Sequence, residues 1–344
     1  MIPHSRPTLG EEDASRVARV VASGQIAQGP AVAAFERGMA DHLGTPAAAA
    51  VSSGTAALEL ALRALSVGAG DEVVIPSFVC DALHHAVTRC GARPVLADAD
   101  PVTLSIDTAD AKRRVTRRTR AMIVPHAFGC PVDVGPFTAL GVPVVEDCAQ
   151  TLAPSGAPAP PGSHGTVAVC SFYATKLLTT GEGGLVAGPE DRVARVRDAR
   201  EYDERSDLVP RFNYKMTDMA AALGLAQLDR LDAFLARRRA IAARYRARLA
   251  GAPCVLPHDA PGHVYHRFVV RVSRPVDGVI AALAARGVGT RRPVFRPLHR
   301  ALGLADYPEA ERAWMETLSL PCYPSLSDAA VDEVATAVRE ALSA

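Results

Sequence analysis

Three groups of residues in this chain have the types and spacing to do chemistry. The first is Lys176, which closes the segment SFYATK (171–176) and is followed by LLTTGEGG (177–184), so that it sits in a turn beside glycine-rich backbone. A lysine in a turn is ordinarily a solvated surface charge. Its flanks here are apolar or small, and a partly desolvated lysine has a lowered pKa, the condition for nucleophilic Schiff-base chemistry. Of 38 basic residues only Lys112, Lys176 and Lys215 are lysines. Arginine cannot stand in where a neutral amine is required, because its guanidinium stays protonated in proteins.

The second group is VPVVEDCAQ (142–150), a short buried-type strand that ends in acids. In open parallel sheets ligands sit beyond the carboxyl ends of the strands, where Asp147 falls. Such an acid can equally be a helix cap or an ion-pair partner. Opposite a pyridine nitrogen it would keep that nitrogen protonated, and a charge pair about 4 Å apart is worth roughly 4 kcal/mol at an effective dielectric near 20. The third group is VSSGTAALELALRAL (51–65), a strand, a small-residue turn and a helix that is apolar except for Glu59 and Arg63, spaced to pair at i,i+4. It reads as a core helix. Its start, Ser53-Gly54-Thr55, also offers free amides, hydroxyls and close approach, which together make a phosphate seat.

These residues need a scaffold, and apolar runs of strand length alternate with helical segments through the first two thirds. That pattern predicts an α/β protein with a mainly parallel sheet. Strands are expected over 47–52, 72–76, 93–97, 121–125, 142–146, 167–171 and 185–187, with helices over 55–66, 81–89, 133–140 and 190–200. A long, mostly uninterrupted helical pattern over 217–249, without Gly or Pro except Gly224, can link two domains. Beyond it a strand over 266–272 and helices over 276–286 and 328–342 predict a smaller α+β domain. The expected partition is a large domain over 1–235, N-terminal arm included, and a small one over 236–344. The proline-rich stretch 154–163 reads as a loop.

The 344 residues suit about two domains. A net charge of +1 provides no field for nucleic acid or anionic lipid. No apolar run approaches the roughly 20 residues of a membrane span, and the start MIPHSRPTLGEED is not a signal sequence, so a soluble cytoplasmic protein is expected. The seven cysteines are scattered without a CxxC, which predicts free thiols and no metal site. There is no P-loop, and Gly181-Glu182-Gly183-Gly184 precedes a strand where a dinucleotide fingerprint must follow one.

In this order SGTAAL (53–58), GDEVVIPSF (70–78), EDCAQ (146–150), SFYATKLLTTGEGG (171–184) and RFNYKMTDMAAALGLAQL (211–228) resemble the DegT/DnrJ/EryC1/StrS family. The resemblance runs from about residue 28 to residue 334. It implies an aspartate aminotransferase-like fold (PLP fold type I) and pyridoxal 5'-phosphate as cofactor. By resemblance, Lys176 is the lysine that carries the cofactor as a Schiff base and shuttles the proton, Asp147 the partner of the pyridine nitrogen, and Gln150 the amide near the ring hydroxyl. Gly54, Thr55 and Ser171 match phosphate contacts. Asn213 matches an asparagine that reaches the other subunit's site, which implies a homodimer, and residues near His299 resemble a site-lining loop. Two positions depart from the pattern. Cys80 stands where many relatives stack an aromatic on the cofactor ring, and Tyr173 where many carry histidine.

The implied activity moves an amino group from glutamate or glutamine to a keto-sugar, expected to be nucleotide-linked. A cyclitol (inosose) acceptor and a PLP-binding regulator without turnover stay open as alternatives. The family's dehydratase branch typically has histidine at the lysine position, and Lys176 speaks against it.

Overall fold

In the computed structural model, which describes residues 1–153, 156 and 160–343, the expected strands form one seven-stranded sheet. They are β1 (Ala47–Val51), β2 (Glu72–Pro76), β3 (Arg93–Ala97), β4 (Thr119–Pro125), β5 (Val144–Asp147), β6 (Val167–Ser171) and β7 (Gly184–Gly188). Their order is β1-β7-β6-β5-β4-β2-β3, and only β7 runs against its neighbours. β1, β2, β5 and β7 are buried throughout, as the continuous apolar runs require of a sheet covered on both faces. Within 154–163, residues 154, 155 and 157–159 lie outside the described residues.

A second sheet of β8 (Cys254–Val255), β9 (Phe268–Val272) and β10 (Thr317–Leu320) is antiparallel, in the order β10-β9-β8. It packs with the helices Val276–Ala285 and Asp328–Ser343 around a separate cluster that includes Tyr245, Phe268 and Val338. Tyr245 is fully buried, and its hydroxyl donates to the Pro321 carbonyl at 2.9 Å.

The helical pattern over 217–249 is not continuous. It divides into Asp218–Leu228 and Leu231–Arg248 at Asp229-Arg230. Both residues at the break are held from outside: Asp229 by Arg16 at 2.5 Å, Arg230 by Asp13. Tertiary ion pairs with the helix Glu11–Ser23 thus override local propensity. The helix Leu231–Arg248 bridges the two layers, with Leu231 and Leu235 in a large-sheet cluster and Ile241, Ala242 and Tyr245 in the small one. The first residues, expected with the large domain, lie against the smaller layer. The Ile2 N–H donates to the Gly287 carbonyl and the Gly289 N–H to the Ile2 carbonyl, each at 2.8 Å.

Two N-terminal helices, Glu11–Ser23 and Pro30–Leu43, were not expected, although their end signals are present. Acids fill the first turn of one, Pro30 opens the other, and left-handed Gly24 and Gly44 close them. Asp218 caps the second from a distance, its Oδ1 accepting the N–H of Gly29 at 2.8 Å and of Val32 at 2.9 Å.

Candidate active site at the carboxyl edge of the large sheet

The strand directions bring the three chemical segments together. β1 and β6 both run antiparallel to β7 between them, and β6 runs parallel to β5 and β4, so β1, β6, β5 and β4 end at one edge. Ser53-Gly54-Thr55, Ser171 and Asp147 therefore face a common space, with Lys176 in the turn after β6.

The helix Gly54–Ala64 begins against Ser171. A Cβ on Gly54 would lie 2.7 Å from Ser171 Cβ and 2.9 Å from its Oγ, so any side chain there would displace β6 or the helix. Ser53 caps this helix, its Oγ accepting the Ala56 N–H at 3.1 Å. The amides of Gly54 and Thr55 take no partner among the described residues and are free to bind an oxyanion. Glu59 pairs with Arg63 at 3.0 Å on the same helix, as its spacing predicts.

Asp147 is only 6% exposed. Its Oδ1 accepts the Ala149 N–H at 2.9 Å, and its Oδ2 takes no partner among the described residues. Burial pushes its pKa up, against the Ala149 amide and the charge of Lys176, which hold it down. Lys176 is half-buried. Burial lowers its pKa, Cys80 and Asp147 work to raise it, and Arg267 adds to the lowering. An amine so placed is the more readily neutral, as nucleophilic chemistry needs.

Cys80 lies on the wall of a cleft of about 920 Å³ at the seam of the two layers. Gln150 turns its Oε1 to the Phe128 N–H at 2.9 Å, and its NH₂ group takes no partner among the described residues. Asn213 is exposed, and its side chain has no partner among the described residues. The chain beside it is pinned, however, the Ser52 N–H donating to the Tyr214 carbonyl at 2.7 Å. His299 is buried and does not line the cleft; its Nδ1 lies 2.6 Å from Ser77 Oγ and its Nε2 3.0 Å from Glu311 Oε2. Its neighbours Arg296 and Arg300 line the cleft instead. Tyr173 is 48% exposed and Lys215 pairs with Asp203.

Two features of the site were missed by sequence reasoning. One is a buried brace behind Asp147. The His126 Nδ1 accepts the Val132 N–H at 3.0 Å, so the ring proton is on Nε2, which donates to Glu146 Oε1 at 2.9 Å. Glu146 also accepts the N–H groups of Gly162, His164 and Gly165 at 2.7, 3.0 and 2.8 Å. Burial opposes its charge, but these bonds outweigh it and hold the carboxyl below the usual range. Cys148 Sγ completes a group of ligand-type atoms within 4.8 Å of one another, yet both His126 nitrogens and both Glu146 oxygens are already engaged by protein. The His126 backbone N–H donates to the Asp147 carbonyl at 3.1 Å, so the brace holds the strand end that carries Asp147. A histidine some 20 residues ahead of an acidic pair gives no local signal of this.

The other is Arg267, brought over the site by a turn at Ala127–Gly129. The Gly129 carbonyl accepts the Val264 N–H at 2.9 Å and the Phe128 carbonyl the Arg267 N–H at 3.2 Å. A Cβ on Gly129, whose φ is +91°, would meet His266 N at 2.7 Å, so this approach of the two layers needs glycine.

The sequence model of the DegT/DnrJ/EryC1/StrS aminotransferase family matches residues 7–339. GDP-perosamine synthase of Caulobacter vibrioides is 36% identical over 331 residues, covering 90% of this chain and 89% of that protein. The crystal structure of the aminotransferase TlmJ from Streptoalloteichus hindustanus superposes with a TM-score of 0.92 at 35% identity, over 100% of this chain and 99% of that one. Spr1654 from Streptococcus pneumoniae in its PLP form gives 0.93 at 27% identity, over 99% and 98%. The fold is thus PLP fold type I, and this chain belongs to the DegT/DnrJ/EryC1/StrS family of PLP-dependent aminotransferases.

Proposed function

We propose that the enzyme transfers nitrogen from glutamate, or else glutamine, to a keto-sugar that is nucleotide-linked and carries its carbonyl at C4 or C3. The observation that carries this reading is half-buried Lys176 within electrostatic reach of Asp147 and of Cys80 and Arg267, two residues that line a broad arginine-rich cleft. The similarity to GDP-perosamine synthase supports a sugar acceptor.

The residues present fit pyridoxal phosphate. Gly54 leaves a cradle that a Cβ would fill, with free amides at Gly54 and Thr55 and the Ser171 hydroxyl beside it for a phosphate. The unpartnered Asp147 Oδ2 suits a protonated pyridine nitrogen, and the Gln150 NH₂ the ring hydroxyl. When bound, the cofactor supplies an electron sink and carries the nitrogen between the two substrates. Lys176 holds the cofactor and, once released from it, moves a proton at its Nζ in each half of the reaction, for which a pKa near the working pH is best. Cys80 presents a small wall in place of a stacking ring, which forfeits about 0.5–1.5 kcal/mol that phosphate and lysine anchors offset. Asn213, exposed beside the Ser52 strand end, reaches the phosphate of a partner subunit's site in a homodimer.

Changing Lys176 to Arg tests this reading. Turnover should vanish while the fold is kept, and appreciable aminotransfer by that variant would sink the assignment. A regulator without turnover predicts instead that no amino donor alters the spectrum of the bound cofactor in the unmodified protein.

A further inference from the structure

The cleft walled by Cys80, an electrostatic neighbour of Lys176, holds arginines of two kinds. On its outer wall Arg292 is paired with Asp277 at 3.1 Å and Arg300 with Glu311. Arg267, Arg291 and the exposed Arg296 also line it, and none has a carboxylate within ion-pair distance among the described residues; Arg296 donates to the Arg300 carbonyl at 3.0 Å on the outer wall. Among the described residues, the one side chain that Arg267 hydrogen-bonds is His4, whose Nε2 lies 3.1 Å from its Nη1 and 2.9 Å from Ser319 Oγ. His4 cannot balance the charge. Burial, reinforced by Arg267 and Arg291, lowers its pKa to about 3, so at neutral pH it is an uncharged acceptor.

A half-buried guanidinium without a counter-ion is unfavourable, and a second one nearby makes it more so. Burial, with Arg238 and Arg291, brings the pKa of Arg267 down to about 10. An anion entering the cleft would relieve this. The position narrows down which anion. Arg267 acts electrostatically on Lys176, whereas Arg291 acts on Arg267 and His4. Through the Phe128 peptide, Arg267 is also one hydrogen-bonded link from Gln150. Arg267 is therefore the inner cation and Arg291 the outer one. An amino acid carries a carboxylate on the very carbon that exchanges nitrogen, next to the reacting lysine. The phosphates of a nucleotide-linked sugar lie across a pyranose ring from a keto group at C4.

We propose that Arg267, with His4 beside it and Arg291 behind it, is the seat for the α-carboxylate of the amino donor. The proposal rests on Lys176 being the reacting amine. It gives the amino-acid half of the reaction its own anchor, separate from the groups that bind cofactor phosphate.

Glutarate, a dicarboxylate with no amine to react, is the probe, titrated calorimetrically into the cofactor-loaded enzyme. Arg267→Gln should weaken glutarate binding at least about tenfold, the size of one lost charge-assisted hydrogen bond, with cofactor content unchanged. Arg267→Lys should recover part of the loss. Binding of a nucleoside diphosphate (GDP or UDP) should change less than about threefold in Arg267→Gln. The proposal is overturned if glutarate fails to bind the unmodified enzyme, or binds Arg267→Gln equally well. It is also overturned if that variant loses the nucleoside diphosphate while keeping glutarate. Lys176→Ala should still bind glutarate, so failure of the lysine assignment and failure of the carboxylate seat give different results.

Discussion

Replacing Asp147 by Asn removes a charge while leaving the local structure in place. Asparagine is isosteric, and its Oδ1 can still accept the Ala149 N–H that Asp147 holds at 2.9 Å. What is lost is the anion facing the cofactor ring. At about 4 Å and an effective dielectric near 20, that charge pair is worth about 4 kcal/mol. Asp147 is only 6% exposed, so solvent screens little of it. At about 1.4 kcal/mol per decade the amination of bound cofactor by glutamate should slow by about three decades. Stopped-flow absorbance of the cofactor measures this step alone. The cofactor-free protein should respond in the opposite sense. Burial raises the Asp147 pKa, so the folded state holds its proton more tightly than the unfolded state and loses stability as pH rises above the unfolded value near 3.8. The variant is free of that loss, and its cofactor-free form should melt no lower than the parent at neutral pH. A half-reaction rate within about tenfold of the parent would refute the charge-pair argument.

Gly54→Ala should lower cofactor affinity and cost about 1–3 kcal/mol of stability through overpacking against Ser171, read by cofactor titration and thermal melting. Stability should fall as pH drops from about 6.5 toward 4. His263, whose pKa burial lowers to about 4, must gain a proton on unfolding in that window, and Glu146, held below the usual range, adds the same trend below about 4.5. His263→Gln should flatten the pH dependence of chemical denaturation by up to about 3 kcal/mol. If Asn213 serves the partner's site, mixing and re-forming dimers from inactive Lys176→Arg and impaired Asn213→Ala subunits should rebuild one intact site per mixed dimer. Activity no higher than that of the separate variants would count against the shared site.

The large sheet was legible because its strands are short apolar runs between helix signals, and β2, β3 and β6 fall on their expected bounds. The segments around Gly54, Asp147 and Lys176 were legible because each carries its chemistry in adjacent residues. What was not legible depends on contacts across the chain. The break at Asp229-Arg230 is made by Arg16 and Asp13, more than 200 residues away. The His126–Glu146 brace and the approach of Arg267 come from the Ala127–Gly129 turn, where the backbone of Phe128 has a φ of +59°. His299 illustrates the converse, since a residue in a matching segment turned instead to Ser77 and Glu311.

The central claim is that one particular amine carries the chemistry, and the scarcity of lysine makes it directly testable. Borohydride reduction of the cofactor-loaded enzyme, followed by peptide mass analysis, fixes the covalent attachment to its residue. The account predicts the cofactor mass on the peptide containing Lys176 and none on those containing Lys112 or Lys215. Cofactor found on either of those lysines, or a loaded enzyme that yields no modified peptide, would contradict it.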